Sequence, residues 1–425
     1  MFKRFSKKIF FIDGVRTPFQ ISGTGLKNYN CYDLGKIVLN DLSSKVYYSL
    51  TDKVDYVVMG NVIQDSKTTN IARESMLLAG YDHRIPSYTV SMACISSNKS
   101  ITEGINLINS NQASAVISGG VETMSDTPIK LSQPLRKMLL ESRKWKTLSQ
   151  KLDGLSKIKM KDIGIEVPSI TEFSTNETMG FSADKLAETW NVSRQEQDEY
   201  AYRSHKLASE ASDTGKLEDV INLENLNDNV IKHETTREKL EKLKPVFRKN
   251  GTISAGNASS LTDGASACLL ANQKYIIDNE IYAKTEIIDY LYIGTNPVDE
   301  LLLGPAYAIA KILEKNKLTL NDIDVFEIHE AFAGQVLANL NALNSDKFTE
   351  TNHLKSKIGY IPIEKLNTYG GSLSLGHPFG ATGVRLLSHA SNRLVNEKEE
   401  LALIASCAAG GLGHAMLVRN VSRQY

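Results

Sequence analysis

Cys94 is the residue of this chain best placed for covalent chemistry. It ends the run SYTVSMAC and begins ISSNKSITEGINLI, so it lies where a buried strand is predicted to turn into a helix. The N-terminus of a helix offers partial positive charge and free N–H groups, which favour a thiolate and can bind an oxyanion. A single buried cysteine after a strand is more often an inert small hydrophobe, and that alternative stands for Cys94 taken alone.

His377 lies in GGSLSLGHPFGATG, at a turn in the second half of the chain that corresponds to the Cys94 turn in the first. If two similar halves pack around a pseudo-twofold axis, the two turns meet. His377 can then take the Cys94 proton, which is the pairing of nucleophile and base used in covalent catalysis. A structural histidine that caps a glycine-rich loop is the alternative.

Cys407 and His329 occupy two further strand ends. Cys407 closes LALIASC, and a thiol with an ordinary pKa of about 8.5 can exchange a proton with carbon near neutral pH. His329 follows DVFEI, at the sheet edge where open α/β folds bind ligands, so we expect it to bind an oxyanion or orient water. The alternatives are core packing for Cys407 and a helix-start role for His329. Cys31 and Cys268 are predicted to be structural.

The spacing of apolar residues predicts two similar halves of alternating strands and helices. In the first half we expect strands at 8–13, 54–62, 88–93, 113–119 and 266–271 and helices at 33–48, 71–79 and 97–109. In the second half we expect strands at 285–293, 324–328, 371–375, 401–406 and 414–419 and helices at 305–315, 333–343 and 382–395. This order implies parallel βαβ units in a duplicated α/β fold whose sheets pack around shared helices.

An insertion separates the last two strands of the first half. We therefore divide the chain into an N-terminal half (residues 1–125 plus 262–275), an inserted loop domain (126–261) and a C-terminal half (276–425).

The insertion contains a basic amphipathic stretch from residue 130 to residue 161. It holds ten lysines and arginines, whereas the acidic residues in and beside it are Asp126, Glu141, Asp153 and Asp162. Its apolar residues recur at roughly helical spacing: Leu135, Met138, Leu139, Trp145, Leu148, Leu152 and Leu155. Such a segment can contact anionic lipid, a partner subunit or the phosphates of a ligand. A solvated helix whose apolar face packs on the main body is the alternative.

Composition limits the remaining function classes. Lysine plus arginine (49) equals aspartate plus glutamate (49), so no overall field attracts nucleic acid. Four separated cysteines without a CxxC pair argue against a zinc ribbon and a disulfide-rich secreted domain, and the Cys407 and His414 pair has no further soft ligand nearby. We therefore expect no metal.

The expected location is the cytoplasm. The basic N-terminus enters a predicted strand within about ten residues, too early for a signal peptide. No apolar run reaches the roughly 18 residues of a membrane span. A shortened organelle-targeting segment is the alternative.

Four segments, VSMACISSN, FEIHEAFAGQ, GGSLSLGHPFGATG and SCAAGGLGHAM, resemble the signature segments of the thiolase family. The resemblance runs nearly end to end and includes FIDGVRTPF, ISGGVETMSD and SAGNASSLTDGAS. It implies a five-layered αβαβα fold of duplicated βαβαβαββ halves, and a loop domain that binds coenzyme A as a substrate, with no cofactor. It also implies at least a homodimer.

The same resemblance implies a role for each matching residue. Cys94 corresponds to the acylated nucleophile, His377 to the base that activates it and helps to bind the thioester oxygen, and Cys407 to the group that exchanges a proton with the α-carbon. Backbone N–H groups of Cys94 and Ala409 correspond to an oxyanion hole. Ser259 corresponds to a residue of the pantetheine channel.

Two positions depart from the commonest thiolase pattern, which has Asn where His329 stands and Gly where Ala409 stands. HEAFAGQ, CAAGG and the basic insertion with Trp145 are similar to the thiolase subunit of the fatty-acid β-oxidation multienzyme complex. That resemblance implies cleavage of 3-ketoacyl-CoA to acetyl-CoA and a shortened acyl-CoA, a hydratase/dehydrogenase α-subunit, membrane contact through the insertion and, in a eukaryote, a mitochondrial location. The alternatives are an acetyl-CoA acetyltransferase, a non-catalytic lipid-binding relative and a Cys/His hydrolase.

Overall fold

The computed structural model describes residues 5–46 and 50–422; residue 48, the predicted end of the first helix, lies outside them. Its strands are β1 (Ile9–Arg16), β2 (Gln20–Ile21), β3 (Tyr56–Gly60), β4 (Ser87–Val90), β5 (Ala115–Glu122), β6 (Lys130–Leu131), β7 (Ile165–Glu166), β8 (Thr262–Asn272), β9 (Thr285–Gly294), β10 (Val325–Ile328), β11 (Leu401–Ala408) and β12 (Leu412–Asn420). Its helices are α1 (Cys31–Val46), α2 (Ile71–Leu78), α3 (Ser96–Asn109), α4 (Gln133–Ser142), α5 (Leu148–Ser156), α6 (Met179–Thr189), α7 (Arg194–Asp213), α8 (Arg237–Glu241), α9 (Gln273–Asp278), α10 (Gly304–Asn316), α11 (Ala333–Leu343), α12 (Asp346–Thr351), α13 (Ser372–Leu375) and α14 (Thr382–Asn396).

The large sheet consists of two half sheets joined edge to edge. Its order is β10-β11-β12-β9-β1-β8-β5-β3-β4, and β2 pairs with β8. The halves meet where β1 and β9 pair antiparallel, Phe10 with Glu286 and Phe11 with Thr285. The predicted parallel βαβ pairing is confirmed, because β3 runs parallel to β4 and β5, and β10 runs parallel to β11.

Helices lie in three layers around the half sheets. Between the halves, α3 and α14 share one buried apolar cluster with strands of both halves: Ile101, Ile105, Val384 and Leu387 pack with Phe11, Leu270, Ile287 and Ile404. The outer layers are α1 and α2 on the N-terminal half and α10 and α11 on the C-terminal half. The predicted αβαβα arrangement is confirmed. Each buried Leu or Ile contributes roughly 1.5–3 kcal/mol, so the middle layer holds the starts of α3 and α14 firmly in place.

One predicted strand is wrong. Residues 371–375 contain the short helix α13, in which the N–H of Leu375 donates to the carbonyl of Gly371 at 2.8 Å. The place beside β10 is taken by Leu366, which forms an isolated parallel bridge with Phe326. A short buried run cannot be assigned to strand or helix from periodicity alone, and here Ser372 is as buried as its apolar neighbours.

The segment between β5 and β8 lies outside the large sheet. Helices α6 and α7 bury Ala183, Leu186 and Ala201 against the C-terminal half. In contrast, α4 and α5 leave most of their large apolar side chains exposed: Leu139, Leu140, Leu148, Leu152 and Leu155. The alternative that this basic stretch packs its apolar face on the main body is therefore wrong for these two helices. Within the two described ranges, no helix combines the length and apolarity needed to cross a membrane.

Candidate active site

Cys94 lies on a strained turn just before α3. Ala93 has a φ of 45°, in the left-handed region that a residue with a Cβ rarely adopts, and the cost is of order 1–2 kcal/mol. The N–H of Ile95 donates to the carbonyl of Met92 at 3.2 Å, which closes the turn. Cys94 is thereby left partly accessible while Ile95 is buried. Strain of this kind is typical of functional sites.

The sulfur of Cys94 is a thiol in the unliganded protein. Although part of the residue is accessible, protein atoms surround the sulfur, and this burial raises the pKa of Cys94 to about 11. Hydrogen bonds from the backbone N–H groups of Ala409 and of Cys94 itself lower the pKa by less. Burial therefore outweighs the thiolate-favouring effect that the helix N-terminus predicted, and Cys94 needs a base to react.

The end of β11 brings a second thiol to the same place. Cys407 is buried, and its pKa is raised well above the ordinary value by burial and then by the neighbouring Cys94. The sequence-based expectation of an ordinary pKa for Cys407 is therefore wrong. A thiol of this kind keeps its proton at neutral pH, which suits it to protonate a strongly basic carbon.

His329 and His377 form a buried pair with ring centroids 4.1 Å apart. In the part of the chain that the structure describes, Nε2 of each ring has no hydrogen-bond partner. Burial and then the charge of Arg385 lower the pKa of His377 to about 3. Burial, His377 and Arg385 also lower the pKa of His329. Both rings are therefore neutral at physiological pH, so His377 can act as a base.

The predicted meeting of the two turns is confirmed by contacts between them. The N–H of Gly383 in α14 donates to Ser97 Oγ in α3 at 2.7 Å. The N–H of Gly380 donates to Glu122 Oε2 at 3.0 Å, across from the C-terminal half to the end of β5. The glycine-rich loop of His377 thus rests directly on the N-terminal half.

Ser259 lies beside the loop that follows His329. The N–H of Ser259 donates to the carbonyl of Ala331 at 2.9 Å, and the preceding residue, Ala258, forms an isolated antiparallel β-bridge with Phe332. Its assignment to a pantetheine channel remains a prediction.

The other residues considered from sequence have structural surroundings. Cys31 packs in the outer cluster of the first half and Cys268 in the middle layer. His414 is buried, accepts a hydrogen bond from Asn98 Nδ2 at 3.2 Å when its Nδ1 is unprotonated, and packs at an angle against the ring of Tyr292.

Two buried glutamates that the sequence analysis did not single out support the site. Glu122 accepts hydrogen bonds from the N–H groups of Val62, Ile63 and Gly380. Both Glu122, at the end of β5, and Glu330, next to His329, stand at strand ends. His329 was selected from the sequence because it follows a strand at the ligand-binding edge of the sheet. The same criterion would have selected Glu122 and Glu330.

Glu330 joins the His329 loop to the insertion. It accepts hydrogen bonds from Tyr200 Oη at 3.0 Å and Ser204 Oγ at 2.8 Å, both in α7, and from Asn367 Nδ2 at 2.7 Å. Because all three donors are fixed in packed elements, the carboxylate locks the turn after β10.

Comparison with known proteins agrees with this geometry. Residues 9–274 match the family described as "Thiolase, N-terminal domain" and residues 281–420 match "Thiolase, C-terminal domain". The chain is 49% identical to the protein named "Trifunctional enzyme subunit beta, mitochondrial" of Bos taurus, covering 97% of this chain and 88% of that one. It is also 49% identical to the "Probable 3-ketoacyl-CoA thiolase" of Caenorhabditis elegans, covering 98% and 95%. The crystal structure of the Bacillus anthracis acetyl-CoA acetyltransferase superposes with a TM-score of 0.83 at 29% identity, covering 99% and 100%.

Proposed function

The chain belongs to the thiolase family, and from that premise we propose that it cleaves a 3-ketoacyl-CoA with coenzyme A through an acyl thioester on Cys94. The products are acetyl-CoA and a shortened acyl-CoA. The main support is one geometric observation: the N–H of Gly383, shortly after the His377 loop, donates to Ser97 Oγ, shortly after Cys94, so the turns of the base and the nucleophile meet. The degree of identity to a relative named 3-ketoacyl-CoA thiolase adds to it.

The first half-reaction uses all three side chains. His377 Nε2 takes the Cys94 proton, and the thiolate attacks the 3-keto carbon. The bond between that carbon and the α-carbon then breaks, and its electron pair forms the enolate of acetyl-CoA. Cys407 protonates the α-carbon, acetyl-CoA leaves and the acyl group remains on Cys94. The proton on His377 passes to the Cys407 thiolate, so both groups return to their resting states.

The second half-reaction transfers the acyl group to coenzyme A. His377 removes the proton of the coenzyme A thiol, and the sulfur attacks the acyl thioester. The tetrahedral intermediate collapses to acyl-CoA, and the proton returns to the leaving Cys94 sulfur. His377 suits this repeated use because burial destabilises its imidazolium, which favours return of the proton in each half-reaction.

Negative charge develops on different oxygens during the cycle, so two sets of donors are needed. The N–H groups of Cys94 and Ala409 form one set, and His329 contributes to the other. Removing one donor from such a site typically costs about 10²–10³ in rate.

Mass spectrometry after brief exposure to 3-ketoacyl-CoA, with coenzyme A withheld, tests this proposal. We expect an acyl adduct on Cys94 whose mass gives the acyl length, and none in C94A. C268S, which changes a thiol in the middle layer, should retain the adduct. An adduct on another residue, or hydrolysis without an adduct, would contradict the proposal.

The nearest rival is an acetyl-CoA acetyltransferase, the activity named for the superposed Bacillus anthracis structure. Its reaction uses the same residues on short chains. Comparing kcat/KM for acetoacetyl-CoA and a long 3-ketoacyl-CoA separates the two functions. A clear preference for acetoacetyl-CoA would favour the acetyltransferase.

We also propose a hydratase/dehydrogenase α-subunit as partner and a mitochondrial location, in preference to the cytoplasm. The support is the name of the Bos taurus relative, a mitochondrial subunit beta of a trifunctional enzyme. Co-expression with the α-subunit of the same organism should give one complex in sedimentation experiments. Microscopy of the full-length tagged chain tests the location.

The basic insertion is proposed to contact a membrane rather than the body of the protein. Leu148, Leu152 and Leu155 on α5 are 73%, 60% and 54% exposed, among many lysines. Flotation with anionic vesicles, compared with zwitterionic ones, should show salt-sensitive binding. The triple L148S/L152S/L155S variant should lose it, whereas I277S, at an exposed position on α9, should not.

A homodimer is proposed through the edge of the sheet. Strand β4 ends the strand order, its residues are half-buried, and it directly precedes the Cys94 turn. Such an edge pairs readily with a second copy. Sedimentation equilibrium should give twice the mass of the chain, and V90P should shift the protein towards monomer.

A further inference from the structure

The two buried histidines differ in the group that each contacts through Nδ1. His329 Nδ1 lies 3.1 Å from Ser372 Oγ, and His377 Nδ1 lies 2.7 Å from Thr382 Oγ1. A neutral imidazole has one N–H and one lone pair, so the state of Nδ1 decides whether Nε2 donates or accepts. The hydroxyl groups of Ser372 and Thr382 therefore determine the chemistry of the two rings.

Ser372 has Arg385 as its second partner. Arg385 Nη2 donates to Ser372 Oγ at 2.9 Å, and a guanidinium group can only donate. Across residues 5–46 and 50–422, the hydroxyl of Ser372 has no hydrogen-bond partner other than these two side chains. The hydroxyl proton therefore has one acceptor within reach, which is the lone pair of His329 Nδ1.

We propose that Arg385 and Ser372 are positioning residues that hold His329 in the tautomer with its proton on Nε2. His329 then presents a neutral N–H donor to an oxyanion of the reaction. The use of this donor rests on the proposed function, whereas the tautomer itself does not.

Thr382 gives His377 the opposite arrangement. Its Oγ1 donates to the carbonyl of Pro378 at 3.0 Å, so its lone pair accepts from the Nδ1–H of His377. This leaves the Nε2 lone pair of His377 free to take a proton. Two rings only 4.1 Å apart are thus differentiated, one as a donor and one as a base.

The charge of Arg385 also keeps His329 neutral. Arg385 is fully buried, and its Nη1 lies 3.8 Å from Glu327 Oε2. Glu327 is bound more closely by Arg393, at 2.9 Å, so it compensates Arg385 only in part. A second positive charge on His329 would be repelled, and it would place a proton on Nδ1 against the Ser372 hydroxyl.

Long-range ¹H–¹⁵N NMR on protein with ¹⁵N-labelled histidine tests the proposal directly, with H329N and H377N used for assignment. In the wild type we expect Nε2 of His329 and Nδ1 of His377 to be protonated. In S372A, we expect a mixture of His329 tautomers and an unchanged His377 signal. T382V is the matched control, since it should disturb His377 and leave His329 unchanged.

Kinetics give a second readout. S372A should lose roughly tenfold in kcat, less than the full cost of a lost oxyanion donor, with KM nearly constant. S372T, which keeps a hydroxyl, should recover most of this loss. In R385M, Ser372 Oγ loses the hydrogen bond from Arg385 and can accept one from a protonated Nδ1 of His329. The tautomer of His329 should therefore shift in the same direction as in S372A.

The proposal is overturned if wild-type His329 carries its proton on Nδ1, or if folded S372A keeps a single Nε2–H tautomer. The wild-type spectrum decides the tautomer of His329 even if S372A and R385M do not fold. The spectrum does not require turnover. If His329 carries its proton on Nε2 but no acyl adduct forms on Cys94, the proposed function is contradicted and the tautomer assignment still holds.

Discussion

The N–H of Gly383 donates to Ser97 Oγ at 2.7 Å, so the first turn of α14 is bonded directly to the first turn of α3. Each helix follows a loop that holds one reacting residue, Cys94 before α3 and His377 before α14. The separation of base and nucleophile therefore depends on how closely the two helix starts approach. Glycine is needed at 383 because a Cβ there would overlap the side-chain oxygen of Asn98 and lie 2.5 Å from its backbone nitrogen.

We expect G383A to separate the two helices and to reduce kcat/KM by about 10², the usual effect of a misplacement of roughly 1 Å. Overpacking should also lower the free energy of unfolding by about 1–3 kcal/mol. Steady-state kinetics and urea unfolding measure the two effects. G294A is the matched control, since a Cβ at Gly294 meets no atom within 4 Å; equal losses in both variants would contradict the explanation.

Replacing Cys407 should separate the two chemical steps. In C407S the α-carbon loses its proton donor, so we expect carbon–carbon cleavage to fall by about 10²–10⁴. Acyl exchange between an acyl-CoA and labelled coenzyme A requires only Cys94 and His377 and should persist. C268S should leave both reactions intact. If cleavage and exchange fall equally in C407S, Cys407 serves the structure of the site rather than the proton transfer.

The rate of acylation should be nearly independent of pH around neutrality. His377 must be neutral to remove the proton of the Cys94 thiol, and the pKa values of His377 and Cys94 are about 3 and about 11. Activity is therefore lost as pH falls towards the pKa of His377, whereas above the pKa of Cys94 the sulfur is already the attacking thiolate. Single-turnover acylation without coenzyme A, measured from about pH 5 to 9, should give a flat profile. An acid limb with its midpoint near the ordinary histidine pKa would show that His377 is more solvated than the structure indicates.

Local sequence patterns predicted the helices, the strands and the reacting residues. They predicted less well the long-range contacts that position those residues. The helix predicted at 333–343 has the same bounds in the structure, because its apolar periodicity and its neighbours agree. The strand predicted at 371–375 is wrong, since both faces of that segment are buried and its alternation carries no information. Cys94, His329 and Cys407 were identified as candidate site residues because each lies at the end of a predicted strand. Such patterns cannot reveal pairs such as Glu122 and Gly380, which lie 258 residues apart in sequence.

Glu122 offers a test of one such long-range contact. The N–H groups of Val62, Ile63 and Gly380 and the side-chain amide of Asn61 all donate to its carboxyl oxygens. Burial raises the pKa of Glu122, whereas the backbone donors lower it and favour the carboxylate, which can accept all these bonds.

E122Q replaces one acceptor oxygen with an NH₂ group that faces these donors. We expect a loss of about 1–3 kcal/mol in the free energy of unfolding, because a buried donor loses its acceptor. A fall in kcat should accompany it, since Gly380 holds the His377 loop. Urea unfolding and steady-state kinetics measure both, and E103Q, at a half-buried position on α3, is the control. Wild-type behaviour of E122Q would mean that the loop does not depend on this bond.

Several buried histidines should make the protein acid-sensitive. Burial lowers the pKa of His205 to about 4 and those of His377 and His414 to about 3, from an ordinary value of 6.5. The unfolded chain therefore binds more protons than the folded one below pH 6.5, so the stability contributed by the neutral rings is complete above that pH and is lost as pH falls towards 4 or 3. Each such group adds a slope of about 1.4 kcal/mol per pH unit in its window.

His205 is the histidine to replace, because it lies in α7 and accepts a hydrogen bond from the N–H of Lys232 at 3.2 Å. Asn can accept the same bond through Oδ1 without titrating. Between pH 4 and 6.5, we expect H205N to reduce the slope of the free energy of unfolding against pH by the amount that corresponds to about one bound proton. Stability above pH 7 should change little. Urea unfolding at a series of pH values provides the measurement, and H233N, which changes an exposed histidine, should keep the wild-type slope. An unchanged slope in H205N would mean that His205 is already protonated or solvated in the folded protein.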